Sequence, residues 1–201
     1  MIADEGVEKV QRLLSSFSSK YDVDIEHFLK ERAIDFSNRG IARTHLVMQP
    51  TDGAPLLLGY FTLTNKILTV PRNAISKSVE KRLARFGPLD NDSNSYSVPM
   101  PLIAQLGKNY ADGLNAKIDG GDLMSVALKK ISAIQYDLSG KYTYIECVDT
   151  PKLIEFYERN DFRRIDSGTP ETIYDTTNPY LVQMLKYFSS RGEWVGRIDN
   201  C

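Results

Sequence analysis

Gly120 and Gly121 close the run "GKNYADGLNAKIDGGDL" and open a stretch in which Leu123, Met124, Ala127, Leu128, Ile131 and Ile134 recur at helical spacing. The first turn of a helix has backbone N–H groups without intrahelical acceptors and a partial positive potential, and glycine lets a phosphate approach the backbone closely. Diphosphate binding at this helix start is therefore physically open, and a simple turn would use the same two glycines. Neither the lysine-serine pair of a Walker loop nor the G-x-G-x-x-G spacing of a dinucleotide site is present. Farther on, Glu146 lies in the strand-like run "YTYIECV". A carboxylate there could take a proton from an amine directly or through water, and a merely solvated glutamate is the plain alternative. Its neighbour Cys147 faces the other way by strand alternation, and no histidine nearby in sequence supports a nucleophile.

The chain has 201 residues and 22.7 kDa, with 42% hydrophobic and 25% charged residues. That suffices for one well-packed domain, expected over 1–188, followed by a tail at 189–201 that contains Trp194. Twenty-five basic against 26 acidic residues give a formal charge of -1, so no global positive field announces nucleic acid, although a local basic face remains open. Only Cys147 and Cys201, and only His27 and His45, are present. These make neither a disulfide framework nor a zinc set, so no metal is expected. The apolar run "PLLLGYF" is far short of a bilayer span, and "MIADEGVEK" lacks the order of a secretory signal. A cytoplasmic protein without membrane contact is the expectation.

These residues need elements to hold them. Val7, Val10, Leu13, Leu14 and Phe17 form one helical stripe; Ile25, Phe28, Leu29, Ala33 and Phe36 form a second, with Asp24 as its N-cap and its end near Gly40. Strands are expected at 41–48, 55–64 and 67–70 as an antiparallel meander. A helix at 73–86 presents Lys77, Lys81, Arg82 and Arg85, either as a solvated face or as a contact for an acidic ligand or RNA. A loop at 87–95 precedes a strand at 96–106, whose Pro99 and Pro101 are expected to bend it or place it at an edge. The spacing then predicts a helix from 123, a strand at 142–148, a short helix at 151–160 capped by Asp149 or Thr150, and strands at 162–165 and 180–188. Strand, helix, strand is a right-handed crossover if the two strands are parallel.

In this order, "LLLGYFTLTN" at 56–65, "PLIAQLGKN" at 101–109 and "DTPKLIEFYERNDFRRI" at 149–165 resemble the GCN5-related N-acetyltransferase superfamily. The resemblance runs over about 24–187 and implies an α/β fold with a mixed, splayed central sheet of six or seven strands flanked by helices, the acyl-CoA N-acyltransferase fold. It further implies acetyl-CoA as cofactor, with its pantetheine arm against backbone groups of Ile103, Ala104 and Gln105. The diphosphate would be held by the loop of Lys117, Gly120, Gly121 and Asp122. The superfamily pattern has Gln or Arg, two residues, Gly, one residue, then Gly or Ala. Aligned on Gly121, this chain has Ala116 and Asp119 in place of the first two, and a carboxylate at 119 repels a diphosphate unless it points away. Lys117 or Lys108 could compensate.

By the same resemblance, Tyr157 falls where many members place the tyrosine that protonates the departing CoA thiolate, Phe162 is an apolar plug, and Glu146 is the candidate base. Tyr60 and Thr62 share one strand face and Phe61 and Leu63 the other; one pair could line the acceptor cleft. The implied activity is acetyl transfer from acetyl-CoA to a primary amine by direct attack, on a small molecule or a protein lysine. The opening "DVDIEHFLKERAIDFSNRGIARTHLV" resembles a toxin-like branch that acts on aminoacyl-tRNA, an alternative that the basic helix would serve. A homodimer is a further partner expectation. A degenerate binding or regulatory module is the non-enzymatic alternative, motivated by Ala116 and Asp119.

Overall fold

The structure is a computed structural model that describes residues 6–165 and 181–189. Its strands are β1 (Arg43–Gln49), β2 (Leu56–Pro71), β3 (Leu89–Asp90), β4 (Ser95–Lys108), β5 (Tyr142–Val148), β6 (Arg163–Arg164) and β7 (Leu181–Tyr187). Its α-helices are α1 (Val7–Ser15), α2 (Val23–His27), α3 (Ala33–Asn38), α4 (Lys77–Leu83), α5 (Gly120–Leu138) and α6 (Pro151–Arg159). The strands form one mixed seven-stranded sheet in the order β1-β2-β4-β5-β7-β6, with β3 pairing β4 off this path. The expected fold class is borne out. No described helix is long and apolar enough to cross a membrane, and no described group of three or more His, Cys, Asp or Glu could hold a metal ion.

The described residues fall into two compact units, one running up to Thr64 and adding Ile103–Leu128, the other comprising Asn65–Leu102 and the residues from Lys129 onward. In the first, Val10, Leu14 and Phe17 of the N-terminal helical stripe pack with Leu29, Ala33, Leu57 and Tyr60. Removing these side chains from water supplies the main drive for that packing. The second helix is capped by Asp22, whose carboxylate accepts the N–H groups of Asp24 and Ile25, and not by Asp24 as the spacing predicted. It passes through a π-helical stretch at Phe28–Arg32 into α3, and Gly40 turns the chain with φ 69°. Gly59 on β2 and Gly107 on β4 permit close packing here: a Cβ on Gly59 would lie 2.7 Å from Gly107 O, and one on Gly107 would lie 2.5 Å from Ile25 Cγ2.

Asn109 is fully buried and joins three chain segments of this unit. Its Nδ2 donates to Leu57 O at 2.9 Å, its Oδ1 accepts Ser18 N at 2.9 Å and Ala111 N at 3.0 Å, and its own N–H donates to Leu58 O at 2.8 Å.

The second unit packs Leu68, Val70, Leu83, Val98, Met100 and Leu102 with Tyr142, Tyr144, Ile165 and Leu185. Here several sequence expectations are corrected. The strands expected at 55–64 and 67–70 are one strand, β2, because "NK" at 65–66 lacks the glycine or proline that a turn needs. Pro99 and Pro101 do not interrupt β4: each removes only one donor, and Pro101 O remains useful, accepting Thr143 Oγ1 at 2.8 Å. The expected helix at 73–86 is a 3-10 turn at Arg72–Ala74 followed by α4, which Ser76 caps by accepting Val79 N. Leu89–Asp90, expected as loop, pairs with Ser95 and Tyr96. Thr150 stands at the N-cap of α6 without a side-chain bond, and Asp149 instead pairs with Arg164 at 3.0 Å, so neither caps α6 through its side chain. Tyr180 and the tail from 190 on, Trp194 included, lie outside the described residues.

Asn109→Ala would leave Leu57 O, Ser18 N and Ala111 N buried without their partner. It is expected to lower stability by about 3 kcal/mol, read from urea unfolding by circular dichroism. An exposed control, Asn91→Ala, should change it by less than about 0.5 kcal/mol.

Candidate active site

In the first unit, the candidate ligand-binding backbone lies where β4 approaches Asn109. Ile103 is buried, Ala104 is exposed and Gln105 is half-buried, so at 104 the strand presents a methyl group and no bulky side chain. Exposed strand backbone can pair with a ligand carrying amides of its own. Beyond Asn109, Tyr110 N donates to Ser18 O at 2.8 Å, and a 3-10 stretch at Ala111–Ala116 turns through left-handed Asp112 and Gly113. Lys108 is directed over the Tyr110 ring, 5.9 Å from its centroid, while Lys117 is exposed.

The start of α5 answers the question that Asp119 raised. Asp119 Oδ1 accepts Asp122 N at 2.7 Å, and Asp122 Oδ2 approaches Asp119 N at 3.4 Å. This is a reciprocal capping box built from two carboxylates. Gly121 leaves room for it, since a Cβ there would lie 3.2 Å from Asp119 Oδ1. The Asp119 carboxylate therefore folds onto the helix end and does not point away. Asp122, expected as a cofactor contact, has both its N–H and its carboxylate engaged by Asp119, which leaves Gly120 and Gly121 as the first-turn donors. The sequence signal for this box was present in the D-x-x-D spacing.

In the second unit, β5 pairs with β7 so that Tyr144 opposes Leu185, Glu146 opposes Gln183 and Cys147 opposes Val182. Glu146 is half-buried, and its Oε1 accepts Gln183 Nε2 at 3.1 Å. It sits in an interior strand rather than at an edge. Burial raises the Tyr144 phenol well above its usual range, and the Glu146 charge adds to that. Cys147 lies on the other face; burial pushes its thiol up to about 11, with Asp149 adding and Arg164 opposing. A thiol so disposed is a poor nucleophile at neutral pH.

Helix α6 has proline at its first position and Asn160 at its C-cap, where Asn160 Nδ2 donates to Phe156 O at 2.8 Å. Asp161 follows with φ 64° and reverses the chain into β6. Phe162 is fully buried, as a plug should be. Tyr157, half-buried, rests edge-on against it with ring centroids 5.9 Å apart, and against Phe156 at 5.1 Å. Arg164 opposes Met184, which opposes Ile145, so by alternation Phe162 shares the face of Thr143, Ile145 and Cys147. Glu146 is on the reverse face of this ladder, and the structure does not bring it together with Tyr157.

Tyr60, Phe61, Thr62 and Leu63 are all buried. The Tyr60 hydroxyl donates to Ile25 O at 2.6 Å, Thr62 bonds Thr44 at 2.9 Å, and Phe61 stacks on His45 at 4.9 Å. On α4, Lys77 and Lys81 are exposed, as is Arg85 in the turn just beyond it, whereas Arg82 lies over the Tyr187 ring at 4.9 Å. Two groups that sequence reasoning did not single out are Gln183, beside Glu146, and Lys186, at the end of α6. Each becomes visible only through strand pairing.

No protein-family model matches the chain, and no curated protein matches it in sequence. Solved structures do match. A tyrosine-to-phenylalanine mutant of KacT aligns with a TM-score of 0.60 and 18% identity, covering 85% of each chain. AtaT complexed with acetyl-methionyl-tRNAfMet aligns at 0.60 and 18%, covering 87% of this chain and 86% of that one. AtaTR bound with AcCoA aligns at 0.53 and 15%, covering 87% and 84%. The chain thus has the fold of these structures, as the resemblance to the toxin-like branch implied.

Burial also sets an alkaline limit on the second unit. The folded chain keeps the Cys147 proton to about 11 and the Tyr142 proton to about 12. The unfolded chain releases them near about 8.5 and 10, so above that range the unfolded state binds fewer protons and stability falls as pH rises. The urea midpoint is expected to be unaffected by these groups below about pH 8.5 and to decline steadily above it.

Proposed function

We propose that this chain is an acetyl-CoA-dependent N-acetyltransferase that acts on a primary amine. The observation that carries the reading is the shared fold over 85–87% of the chain with structures that include one bound with AcCoA. Tyr157 at the C-terminal end of α6 supplies a group that such chemistry needs. The strand fits the cofactor's amide-bearing arm, through backbone groups of Ile103, Ala104 and Gln105. Its phosphates fit less well: Lys117 and the N–H groups of Gly120 and Gly121 favour them, and the Asp119 and Asp122 carboxylates oppose them.

When bound, acetyl-CoA supplies the acetyl group, whose bond to sulfur breaks as the bond to the amine nitrogen forms. Tyr157 holds a proton at Oη and delivers it to the departing sulfur. Support for choosing this tyrosine comes from its place in the helix-turn-strand motif at 149–165. The amine proton passes to water, because Glu146, the expected base, stands on the opposite face of the β5–β7 ladder from Tyr157.

The α-amine of an aminoacyl-tRNA is the acceptor favoured by a specific observation, the exposure of Lys77 and Lys81 on α4 and of Arg85 in the turn after it, together with the AtaT complex. Phosphate contacts of this kind position a nucleic acid and weaken with salt. Parallel assays with charged tRNA, small amines and a lysine peptide would identify the acceptor.

Calorimetric titration should show micromolar binding of acetyl-CoA by the wild type and by Tyr157→Phe alike, while kcat of the variant falls by about a hundredfold. No binding at millimolar acetyl-CoA would sink the enzyme reading and leave a binding or regulatory module. Asp119→Asn retains a good N-cap and removes one charge, so it should bind acetyl-CoA about two- to fivefold more tightly. Weaker binding would mean that the loop does not face the phosphates.

A further inference from the structure

Lys186 is a cation in an interior place. It lies on β7 opposite Thr143, and its side chain is only 5% exposed. Lysine ammonium groups are strongly hydrated and are seldom buried without partners. Here the partners belong to a single turn. Nζ donates to Asn160 O at 3.2 Å and to Asp161 Oδ2 at 3.3 Å, and the buried Phe188 ring lies 5.8 Å away.

Asn160 is the C-cap of α6, so its carbonyl belongs to the negative end of the helix, where a cation is favoured. Asp161 is held at φ 64°, a left-handed conformation that costs a non-glycine residue and persists only where its surroundings enforce it. The Tyr157 carbonyl is part of the same turn, accepting Asn160 N at 3.0 Å and Phe162 N at 3.1 Å. An apolar side chain on β7 could fill the space beneath the turn. It could not tie down one carbonyl and one carboxylate.

We infer that Lys186 is a positioning residue, whose buried ammonium fixes the C-terminal turn of α6 and through it the direction of the Tyr157 phenol. The inference rests on the proton-donor reading of Tyr157 and adds the group that holds that donor. A donor must stay within hydrogen-bond reach of the sulfur, and a displacement of about 1 Å is enough to lower a rate by two orders of magnitude. Lys186 touches neither substrate nor cofactor in this account.

The test uses the full chain with Lys186→Met, Asp161→Asn, Tyr157→Phe and the Lys186→Met/Tyr157→Phe double variant. Lys186→Met should lower kcat by roughly ten- to hundredfold while KM for acetyl-CoA changes less than about twofold. In the Tyr157→Phe background the same change should cost little more, because the two residues act as one unit. Equal loss in both backgrounds would overturn the inference, as would a rise in KM with kcat unchanged. Amide hydrogen exchange over residues 156–162 should quicken in Lys186→Met relative to residues 142–148, and unchanged exchange would also overturn it. If Lys186→Met fails to fold, Asp161→Asn removes the carboxylate half of the clamp at a left-handed position that asparagine tolerates, and should show the same pattern more weakly. Failure of the acetyltransferase reading is distinguishable: wild type and Tyr157→Phe would then transfer no acetyl group, while exchange would still report whether the clamp exists.

Discussion

The buried amide of Asn109 is the constraint from which the candidate ligand-binding strand takes its shape. A fully buried carboxamide must satisfy its donors and acceptor within the protein, and this one does so with Leu57, Ser18 and Ala111. Those bonds tie the end of β4 to the start of β2 and to the segment after α1. They also set the point at which the chain leaves the strand and begins the loop that ends in α5. Gly59 and Gly107 add a steric condition, since a methyl group at either would collide with its neighbours. The backbone from Ile103 to Gln105 therefore runs into a strand end held by neutral hydrogen bonds and close packing.

The second unit solves a different problem, how to hold a short helix whose last turn carries the phenol. Nine residues are too few to make a stable helix by propensity alone. Packing of Phe162, the Asp149–Arg164 pair at one end and Lys186 at the other supply what propensity lacks. The exposed Asp149–Arg164 pair contributes modestly. The buried lysine is the costlier and more specific device, because an ammonium removed from water must keep its partners.

Charge is distributed so as to make the helix start of α5 self-sufficient. Asp119 and Asp122 cap each other's ends of the first turn, which stabilises the helix and reduces its attraction for an external anion. Glu146 shows the converse arrangement: its partner is a neutral amide, Gln183 Nε2, which donates to Oε1.

Hydrophobic periodicity alone located the helical stripes, the order of strands and the "DTPKLIEFYERNDFRRI" helix-turn-strand, because burial imposes periods of 3.6 and 2 on the sequence itself. The apolar plug at Phe162 was implied by the family resemblance, and the structure buries it fully. Breaks were read less well. Pro99 and Pro101 suggested an interrupted strand where β4 runs through, since a proline removes a donor without preventing extension. The spacing points to Asp24 as the cap where Asp22 serves, since which of two nearby carboxylates reaches the N–H groups is a matter of backbone geometry. Only the tertiary structure decided that Asn109 joins three segments, that Gln183 faces Glu146, and that Lys186 holds the end of α6. Each of these contacts links residues distant in the chain through strand register and buried polar satisfaction, and neither leaves a periodic trace in sequence.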